Sequence, residues 1–267
     1  MYIMKSKFIH TISKGSRFNQ IYIPKKLEHS FEVGDIVEVK IIEKKVRLFY
    51  SKSIKHLTPF KENIIKRIFA EINQFKEIKQ IFVIGSFLTK NEDYNDLDIL
   101  VVLRDEKINE KLVEKRIYEH LVQSLQLKYH LIIIKESILN NLIKKCPLTR
   151  SMLYNFVSNN NFELTDEMVI DKNHTKFLLM MPEDTLKVKV ASRVLYDSIR
   201  RLITIQRFLD KKDSIPSEID KDTKKILGET LYNYTMNNEE IDDKIRNMLR
   251  AIIKIKLETI NKKLDMS

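Results

Sequence analysis

The chain has 267 residues, 43% hydrophobic and 32% charged, and its single cysteine excludes an internal disulfide and a zinc site built from cysteines. It contains no run of 18 or more apolar residues and no apolar signal segment near its N-terminus, so we expect a cytoplasmic protein with no membrane partner. The net charge of +11 is concentrated in residues 1–58, where 12 basic residues outnumber 5 acidic ones; this excess is typical of a nucleic-acid binder, although a solvated lysine-rich surface would also produce it.

The first module, residues 1–52, is predicted to be rich in β-strands. Short runs of β-branched and aromatic residues are separated by turn signals at Lys14-Gly15 and Val33-Gly34-Asp35. The predicted strands cover residues 8–12, 20–23, 36–42 and 46–50. Strands this few and this short make a poor hydrophobic core by themselves.

Three motifs in this module occur in a fixed order: SKGSR at 13–17, IYIPKKL at 21–27 and GDIVEV at 34–39. Their spacing, within about residues 7–50, resembles the AbrB/MazE-like swapped-hairpin DNA-binding family. The resemblance implies a homodimer in which two chains interleave their hairpins and present a basic surface to DNA. The alternative is a small β appendage that only packs on the next domain.

The central domain, residues 58–160, alternates helices with strands, which predicts a mixed sheet flanked by helices. A connector at 51–58 leads into a helix over 59–75, and Pro59 suits the first turn of that helix. Further strands are predicted at 80–84, 97–103 and 129–134, and further helices at 107–125, 137–145 and 149–158. Residues 159–182 carry no clear pattern.

Two neighbouring strands carry the most informative motif of the chain. Gly85-Ser86 ends the first strand, and Asp96-Leu97-Asp98 opens the second. Side chains alternate along a strand, so Asp96 and Asp98 point to one face, where converging carboxylates can hold a divalent metal. Gly85 lets the backbone approach a phosphate, and Ser86 is predicted to cap a following helix whose free N–H groups attract anions.

This arrangement of Gly85, Ser86, Asp96 and Asp98 between apolar strands resembles the DNA polymerase β nucleotidyltransferase superfamily, in particular its minimal nucleotidyltransferase branch, over about residues 60–160. The resemblance implies that Asp96 and Asp98 ligate Mg²⁺, with a two-metal site expected, and that Gly85 and Ser86 hold the β- and γ-phosphates of a nucleoside triphosphate (NTP). An acceptor hydroxyl then attacks the α-phosphorus and pyrophosphate leaves.

The third carboxylate that the superfamily usually places on a later strand is replaced here by His130. Imidazole can accept a proton but is a poor Mg²⁺ ligand. Three interpretations stay open: His130 is a substitute base, which ranks lowest, Glu136 or another acid reaches the site, or the site binds nucleotide with little or no turnover. We expect an active enzyme. Lys90 and Lys128 could contact phosphates, but isolated lysines are more often solvated surface.

The last module, residues 183–267, has the apolar periodicity of an antiparallel helical bundle. Its helices are predicted at 191–209, 217–236 and 241–264, with a break at Ile215-Pro216-Ser217. The first helix carries four arginines that could line the cleft opposite the aspartates or form a solvated basic stripe: Arg193, Arg200, Arg201 and Arg207.

The helical partners of minimal nucleotidyltransferases in toxin–antitoxin pairs include ribonucleases that use an Arg followed closely by a His. This chain has no histidine after His174, which disfavours a nuclease of that kind.

The predicted fold class is therefore α+β, with a small N-terminal β-hairpin or barrel module, a central mixed-sheet nucleotidyltransferase domain and a C-terminal helical bundle. The predicted function is a magnesium-dependent nucleotidyltransferase that moves a nucleoside monophosphate from an NTP to a hydroxyl of a nucleic acid, with transfer RNA as one candidate, or of a protein. The alternative is a DNA-binding dimeric regulator, transcriptional or antitoxin-like, with a degenerate, nucleotide-sensing nucleotidyltransferase domain. An antibiotic-modifying type of nucleotidyltransferase is least favoured, because it needs no basic module.

Overall fold

A computed structural model of the chain describes residues 7–40, 45–89 and 96–266. The chain divides into two compact units, residues 1–44 and 45–267. The first contains a two-stranded antiparallel sheet, and the second a mixed sheet followed by helices, which confirms the α+β class. The domain boundaries that we predict at 1–52, 58–160 and 183–267 stay predictions.

The N-terminal unit is a short hairpin without a buried core. Strand β1 (Ser13–Lys14) pairs antiparallel with β2 (Asn19–Gln20), and none of the described residues 7–40 is buried. The strand predicted at 8–12 does not form, nor does the described part of the one predicted at 36–42, of which residues 41 and 42 lie outside the described ranges. A single pair of short strands has no second apolar face to bury against, so nothing holds these segments in a sheet.

Within the described residues, the central sheet has five strands in the order β3-β7-β4-β5-β6. Strand β4 runs antiparallel to β5 and β7, and β5 runs parallel to β6. The strands are β3 (Phe49–Tyr50), β4 (Ile78–Ile84), β5 (Leu97–Leu103), β6 (Tyr129–Lys135) and β7 (Val157–Ser158). The strand predicted at 46–50 thus forms only at its last two residues, and it joins this sheet.

The predicted connector at 51–58 is packed on the central sheet. Ser51 exchanges hydrogen bonds with Phe156: the Ser51 N–H donates to the Phe156 carbonyl at 3.0 Å, and the Phe156 N–H donates to Ser51 Oγ at 3.2 Å. Ile54 and Leu57 are partly buried against the core. The chain therefore stays packed against the sheet from Ser51 to the helix that begins at Pro59.

Five predicted helices, at 59–75, 107–125, 137–145, 191–209 and 241–264, begin and end within three residues of their predicted bounds, whereas no helix is predicted at 172–185, where one forms. The helices of the described residues are α1 (Pro59–Ile72), α2 (Glu110–Leu125), α3 (Glu136–Lys145), α4 (Pro147–Met152), α5 (Lys172–Thr185), α6 (Ser192–Leu209), α7 (Pro216–Leu227), α8 (Glu229–Met236) and α9 (Asp243–Met266). The helix predicted at 217–236 is divided by Gly228, whose φ of +75° interrupts helical backbone. The helix predicted at 149–158 ends early, and β7 follows it.

Both faces of the central sheet are covered. Odd-numbered residues of β5, such as Leu97 and Ile99, pack in one cluster with α1 and α2. Even-numbered residues, such as Leu100 and Val102, pack in a second cluster with α3 and α4. Because each face has its own apolar partner, the strands read as continuous apolar runs rather than alternating ones.

The helices after residue 171 share a third core. Buried residues of α5, α6, α7, α8 and α9 form it together with Cys146, which lies between α3 and α4. The bundle therefore packs directly on the helices that cover one face of the sheet. No helix in the described part of the chain has both the length and the apolar character needed to cross a bilayer.

The loop after β5 is tied to the start of α3 by Asp105. Its Oδ1 accepts hydrogen bonds from Ser137 Oγ at 2.7 Å and from the Ser137 N–H at 3.0 Å, which lower the pKa of this carboxyl. A lowered pKa means that the carboxylate stabilises the fold above its unfolded pKa of about 3.9, and that this stability is lost as pH falls through the lower folded value.

We therefore expect Asp105→Ala to lower the melting temperature by a few degrees at pH 7, and the difference from wild type to shrink below about pH 4. Thermal unfolding followed by circular dichroism across this range measures it. Ser137→Ala, which removes only the Oγ donor, is the control and should lower the melting temperature by less than Asp105→Ala does. A difference that is the same at pH 3 and pH 7 would contradict the assignment.

Candidate active site

The strand register brings the predicted site residues to one end of the central sheet. Asp98 of β5 pairs with Ile84 of β4 on one side and with His130 of β6 on the other. Gly85 follows Ile84 directly, so the turn after β4 lies beside the start of β5. The register thus places Gly85, Asp98 and His130 next to one another.

Gly85 is the residue at which glycine is required. Its φ is +80°, a backbone conformation that residues with a side chain rarely adopt. A Cβ at this position would overlap Asp98 Oδ2 and lie 3.0 Å from Asp98 Cγ. The backbone of the turn therefore lies directly against the Asp98 carboxylate.

The helix cap predicted at Ser86 is wrong. Ser86–Leu88 form a single 3₁₀ turn that starts at Ser86, while Gly85 takes the capping position without a side-chain hydrogen bond. A turn this short lacks the aligned peptide dipoles that attract an anion to a long helix. Ser86 is nevertheless exposed beside Gly85, and its carbonyl accepts hydrogen bonds from the Thr89 N–H and from Thr89 Oγ1.

The turn is held by Lys61, a residue that the sequence analysis missed. Lys61 belongs to α1, is only 5% exposed, and donates from Nζ to the Thr89 carbonyl at 2.8 Å. Its ammonium also lies 5.3 Å from the centre of the Phe87 ring, which gives a cation–π contact. A lysine on the apolar stripe of α1 is the sequence signal that could have indicated this role, because a buried ammonium needs a partner.

Asp96 and Asp98 flank Leu97, which is 1% exposed. Asp96 directly precedes β5, and the Leu97 N–H donates to the Lys128 carbonyl, so pairing with the β6 side starts here. Alternation of side chains directs the two carboxylates away from the core that holds Leu97. Asp98 is partly exposed and can be reached by a ligand.

His130 contacts Asp98 directly. Its Nδ1 lies 3.0 Å from Asp98 Oδ1, and the side chains of His130 and Asp98 are 62% and 27% exposed. With a proton on Nδ1, the imidazole donates to the carboxylate and fixes its orientation. In place of a third carboxylate, the site therefore has a histidine that is hydrogen-bonded to Asp98, one of its two aspartates.

The donor atoms fit Mg²⁺ in the presence of a polyphosphate. Among the described residues, no group of three or more His, Cys, Asp and Glu side chains is placed to hold a metal ion. Mg²⁺ is usually bound through one or two carboxylates together with substrate phosphates and water. Asp96 and Asp98 supply hard oxygen ligands of that kind, and the exposed Gly85-Ser86 turn lies directly beside Asp98.

Glu136 does not reach this site. The interpretation in which Glu136 supplies the missing carboxylate is therefore wrong. Since β6 runs parallel to β5, Glu136 lies beyond the far end of β6, six residues and about 20 Å from His130. Its carboxylate forms an ion pair with Lys79 at 3.6 Å, at the opposite end of the sheet from Asp98.

Two of the arginines of α6 bind aspartates of α7 instead of standing free. Arg200 Nε lies 2.7 Å from Asp220 Oδ1, and Arg207 Nη1 lies 2.7 Å from Asp222 Oδ2. Burial opposes the charged form of Arg200, but the hydrogen bond with Asp220 and the attraction between the two charges together outweigh it, so the pKa of Arg200 is raised. These two arginines hold α6 and α7 together, which favours a structural role over the lining of a nucleotide cleft.

Of the two lysines considered for phosphate contacts, only Lys128 belongs to the described residues. Lys128 is exposed, and its carbonyl accepts from the Leu97 N–H, which places its backbone beside Asp96 and Leu97. Lys90 lies outside the described residues.

Residues 63–155 match the family model of the nucleotidyltransferase domain. The matched segment covers about a third of the chain and includes Gly85, Ser86, Asp96, Asp98 and His130. It supports the assignment of this part of the chain to the nucleotidyltransferase superfamily, and a nucleotidyl-transfer function in general. No curated protein matches the chain. The AbrB-like assignment of the N-terminal module stays a prediction.

We expect Gly85→Ala to destabilise the protein by about 1–3 kcal/mol, because alanine is strained at this positive φ and its Cβ overlaps the Asp98 carboxylate. Urea unfolding measures the change in the free energy of unfolding. Gly228→Ala is the matched control, since Gly228 also has a positive φ but an added Cβ there would meet no atom within 4 Å.

The excess cost of Gly85→Ala over Gly228→Ala should shrink in an Asp98→Ala background, where the overlapping carboxylate is absent. Equal costs for the two alanines in the wild-type background, or an excess that stays unchanged in the Asp98→Ala background, would show that Gly85 does not lie against Asp98.

Proposed function

We propose that the protein is a magnesium-dependent nucleotidyltransferase that moves a nucleoside monophosphate from an NTP to a hydroxyl of a nucleic acid or of a protein. The observation that carries the proposal is the contact between the Gly85 turn and the Asp98 carboxylate, because the turn that we propose for phosphate binding lies beside the carboxylate that we propose as a metal ligand. The family match over residues 63–155 supports it.

In the proposed reaction, the acceptor hydroxyl oxygen forms a bond to the α-phosphorus while the bond to the pyrophosphate oxygen breaks. The turn at Gly85 and Ser86 holds the β- and γ-phosphates, and Asp96 and Asp98 hold Mg²⁺. Bound Mg²⁺ would neutralise charge on the triphosphate and on the departing pyrophosphate. The protein's own share is to position the two reactants, so that the attack is effectively intramolecular.

His130 takes part by orienting Asp98. Its hydrogen bond occupies Oδ1 and leaves Oδ2, the oxygen next to the Gly85 backbone, for the metal and phosphate side of the site. The exposed imidazole is also close enough to the site to receive the hydroxyl proton when its free nitrogen is unprotonated. Without a third carboxylate, the acceptor is activated less strongly than in a site that has one.

The test is incubation of the full chain with each α-³²P-labelled NTP, Mg²⁺ and total RNA. We expect label in RNA or protein, and a loss of about 100-fold or more in Asp96→Asn and Asp98→Asn, because each removes a charge aimed at the triphosphate-bound metal. Separation of RNA from protein before counting identifies the acceptor class.

Asp184→Asn is the matched control, since it neutralises an exposed carboxylate of α5 that lies outside the site. The proposal fails if the folded wild-type protein transfers no label from any NTP with Mg²⁺ or Mn²⁺, or if Asp98→Asn labels as strongly as wild type.

A second candidate is a DNA-binding dimeric regulator whose nucleotidyltransferase site senses nucleotide without turnover. The observation in its favour is the N-terminal unit, in which ten large hydrophobic side chains of the described residues 7–40 are exposed on a single chain. They are Ile9, Ile12, Phe18, Ile21, Tyr22, Ile23, Val33, Ile36, Val37 and Val39. Apolar surface of this extent on a short segment favours burial against a second copy.

This candidate predicts that the full chain enriches specific duplexes from a random DNA pool, with an affinity that falls as salt rises. The double variant Lys14→Ala and Arg17→Ala, in the exposed basic turn, should bind more weakly and show a salt slope smaller by about 2. Lys187→Ala with Lys212→Ala, two exposed lysines of the helical module, is the control.

Enrichment of no duplex, or equal loss in the control, would remove this candidate. A degenerate site further requires that wild type transfers no label while His130→Asp, which supplies a third carboxylate beside Asp98, gains transfer.

A further inference from the structure

The outer edge of β6 is open. In the strand order β3-β7-β4-β5-β6, no described strand pairs with the side of β6 that faces away from β5. The strand is seven residues long, Tyr129–Lys135, and pairs with β5 in an unbroken register. Among the described residues, therefore, no strand occupies the outer side of β6 at any point of its length.

Hydrogen bonding shows which backbone groups of β6 face outward. The Leu97 N–H donates to the Lys128 carbonyl, so the even-numbered residues on the β6 side direct their N–H and C=O groups to β5. The odd-numbered residues direct theirs to the open edge. These are Tyr129, Leu131, Ile133 and Lys135, all of them partly exposed. Four N–H groups and three C=O groups lie along this edge, because Lys135 is the N-cap of α3 and its carbonyl accepts the first hydrogen bond of that helix.

Between Leu131 and Ile134 the edge has none of the features that usually prevent strand addition, and of the four outward residues only Lys135 is charged. Residues 131–134 are Leu-Ile-Ile-Ile, with no proline, glycine or charge, and the register with β5 has no bulge. Natural proteins normally protect a long apolar edge with such residues or with a bulge. An unprotected edge of this kind is typical of a strand that pairs with another chain.

Helix α2 extends this apolar surface. Arg116 and His120 hydrogen-bond to Glu77 and Glu71, which marks the side of α2 that faces α1. Tyr118 and Val122 lie two positions further along, about 200° around the helix, and so face away from α1. Both are exposed, at 50% and 42%. That side of α2 is the side of the open edge, because α1 lies over β4 and α2 over β6.

We propose that the β6 edge pairs antiparallel with the β6 edge of a second copy of this chain, joining two central sheets into one. An antiparallel register centred on Ile132 places every outward residue opposite another outward residue. Tyr129 then pairs with Lys135 of the partner subunit, and Leu131 with Ile133 of the partner subunit. This arrangement gives about six hydrogen bonds between the strands, two from each Leu131–Ile133 pair and one from each Tyr129–Lys135 pair.

The sequence of the edge favours a second copy as its partner, and it favours antiparallel over parallel pairing of the two copies. About a two-fold axis at Ile132, the apolar residues Leu131, Ile132 and Ile133 are their own complement, as an isologous interface requires. The antiparallel direction also keeps the two Lys135 side chains at opposite ends of the joint, whereas a parallel pairing would place like charges together.

Pairing here would place a strand of the partner next to the candidate site, because β6 carries His130 near its start. In the register centred on Ile132, His130 lies opposite Ile134 of the partner subunit. An apolar neighbour at that position narrows the approach of an acceptor to the site from the β6 side. This pairing does not depend on the N-terminal unit or on the proposed transfer reaction.

Amide hydrogen exchange of the full chain, measured residue by residue by NMR, tests the pairing. We expect the outward amides of Leu131 and Ile133 to be protected like those of the inward-facing Ile132, in a protein whose sedimentation mass corresponds to at least two chains. In Ile133→Pro, the Leu131 amide should exchange about tenfold faster or more, because proline removes an outward donor and its ring blocks the partner strand.

Ile133→Ala is the matched control: it removes a similar side chain but keeps the outward N–H, so protection at Leu131 should persist. Protected amides at Ile99 and Val101 of β5 report that each variant is folded. Three results would overturn the proposal: fast exchange at Leu131 and Ile133 in folded wild type, protection in a monomeric protein, or equal protection at Leu131 in the proline and alanine variants.

Discussion

The candidate site depends on the register of three strands. Asp98 lies opposite both Ile84 and His130, and a slip of one residue in β5 would turn Asp98 toward the core and Leu97 toward the site. Such a slip is costly because it would move the Asp98 carboxylate into the apolar cluster where Leu97 is now 1% exposed. The apolar packing of the sheet thus fixes the position of a charged group that contributes nothing to that packing.

The central strands could be predicted from the sequence because their apolar runs are long and bounded by polar turns. The run 97–103 is a strand over its full predicted length, and Gly85 and Asp98 lie where the motif indicates. The N-terminal strands could not be predicted for the single chain, since residues 7–40 contain β-forming residues but no buried surface to order them. Local β propensity there is not supported by tertiary packing.

Within the site, the sequence indicates residue types but not how they contact one another. Nothing in the pattern distinguishes a 3₁₀ turn at Ser86 from the start of a longer helix, because both begin after a glycine and before apolar residues. The parallel direction of β6 decides that His130, and not Glu136, lies beside Asp98, and direction is a property of the topology. In the bundle, the pairing of Arg200 and Arg207 with aspartates of α7 shows that basic composition alone does not define a nucleic-acid surface.

The buried ammonium of Lys61 has a mechanical consequence. Exposing this ammonium to water would disrupt the packing around it, and its hydrogen bond to the Thr89 carbonyl is one of the contacts that stabilise it where it is. That hydrogen bond links the first turn of α1 to the end of the segment from Gly85 to Thr89. A displacement of Thr89 therefore acts directly on the helix.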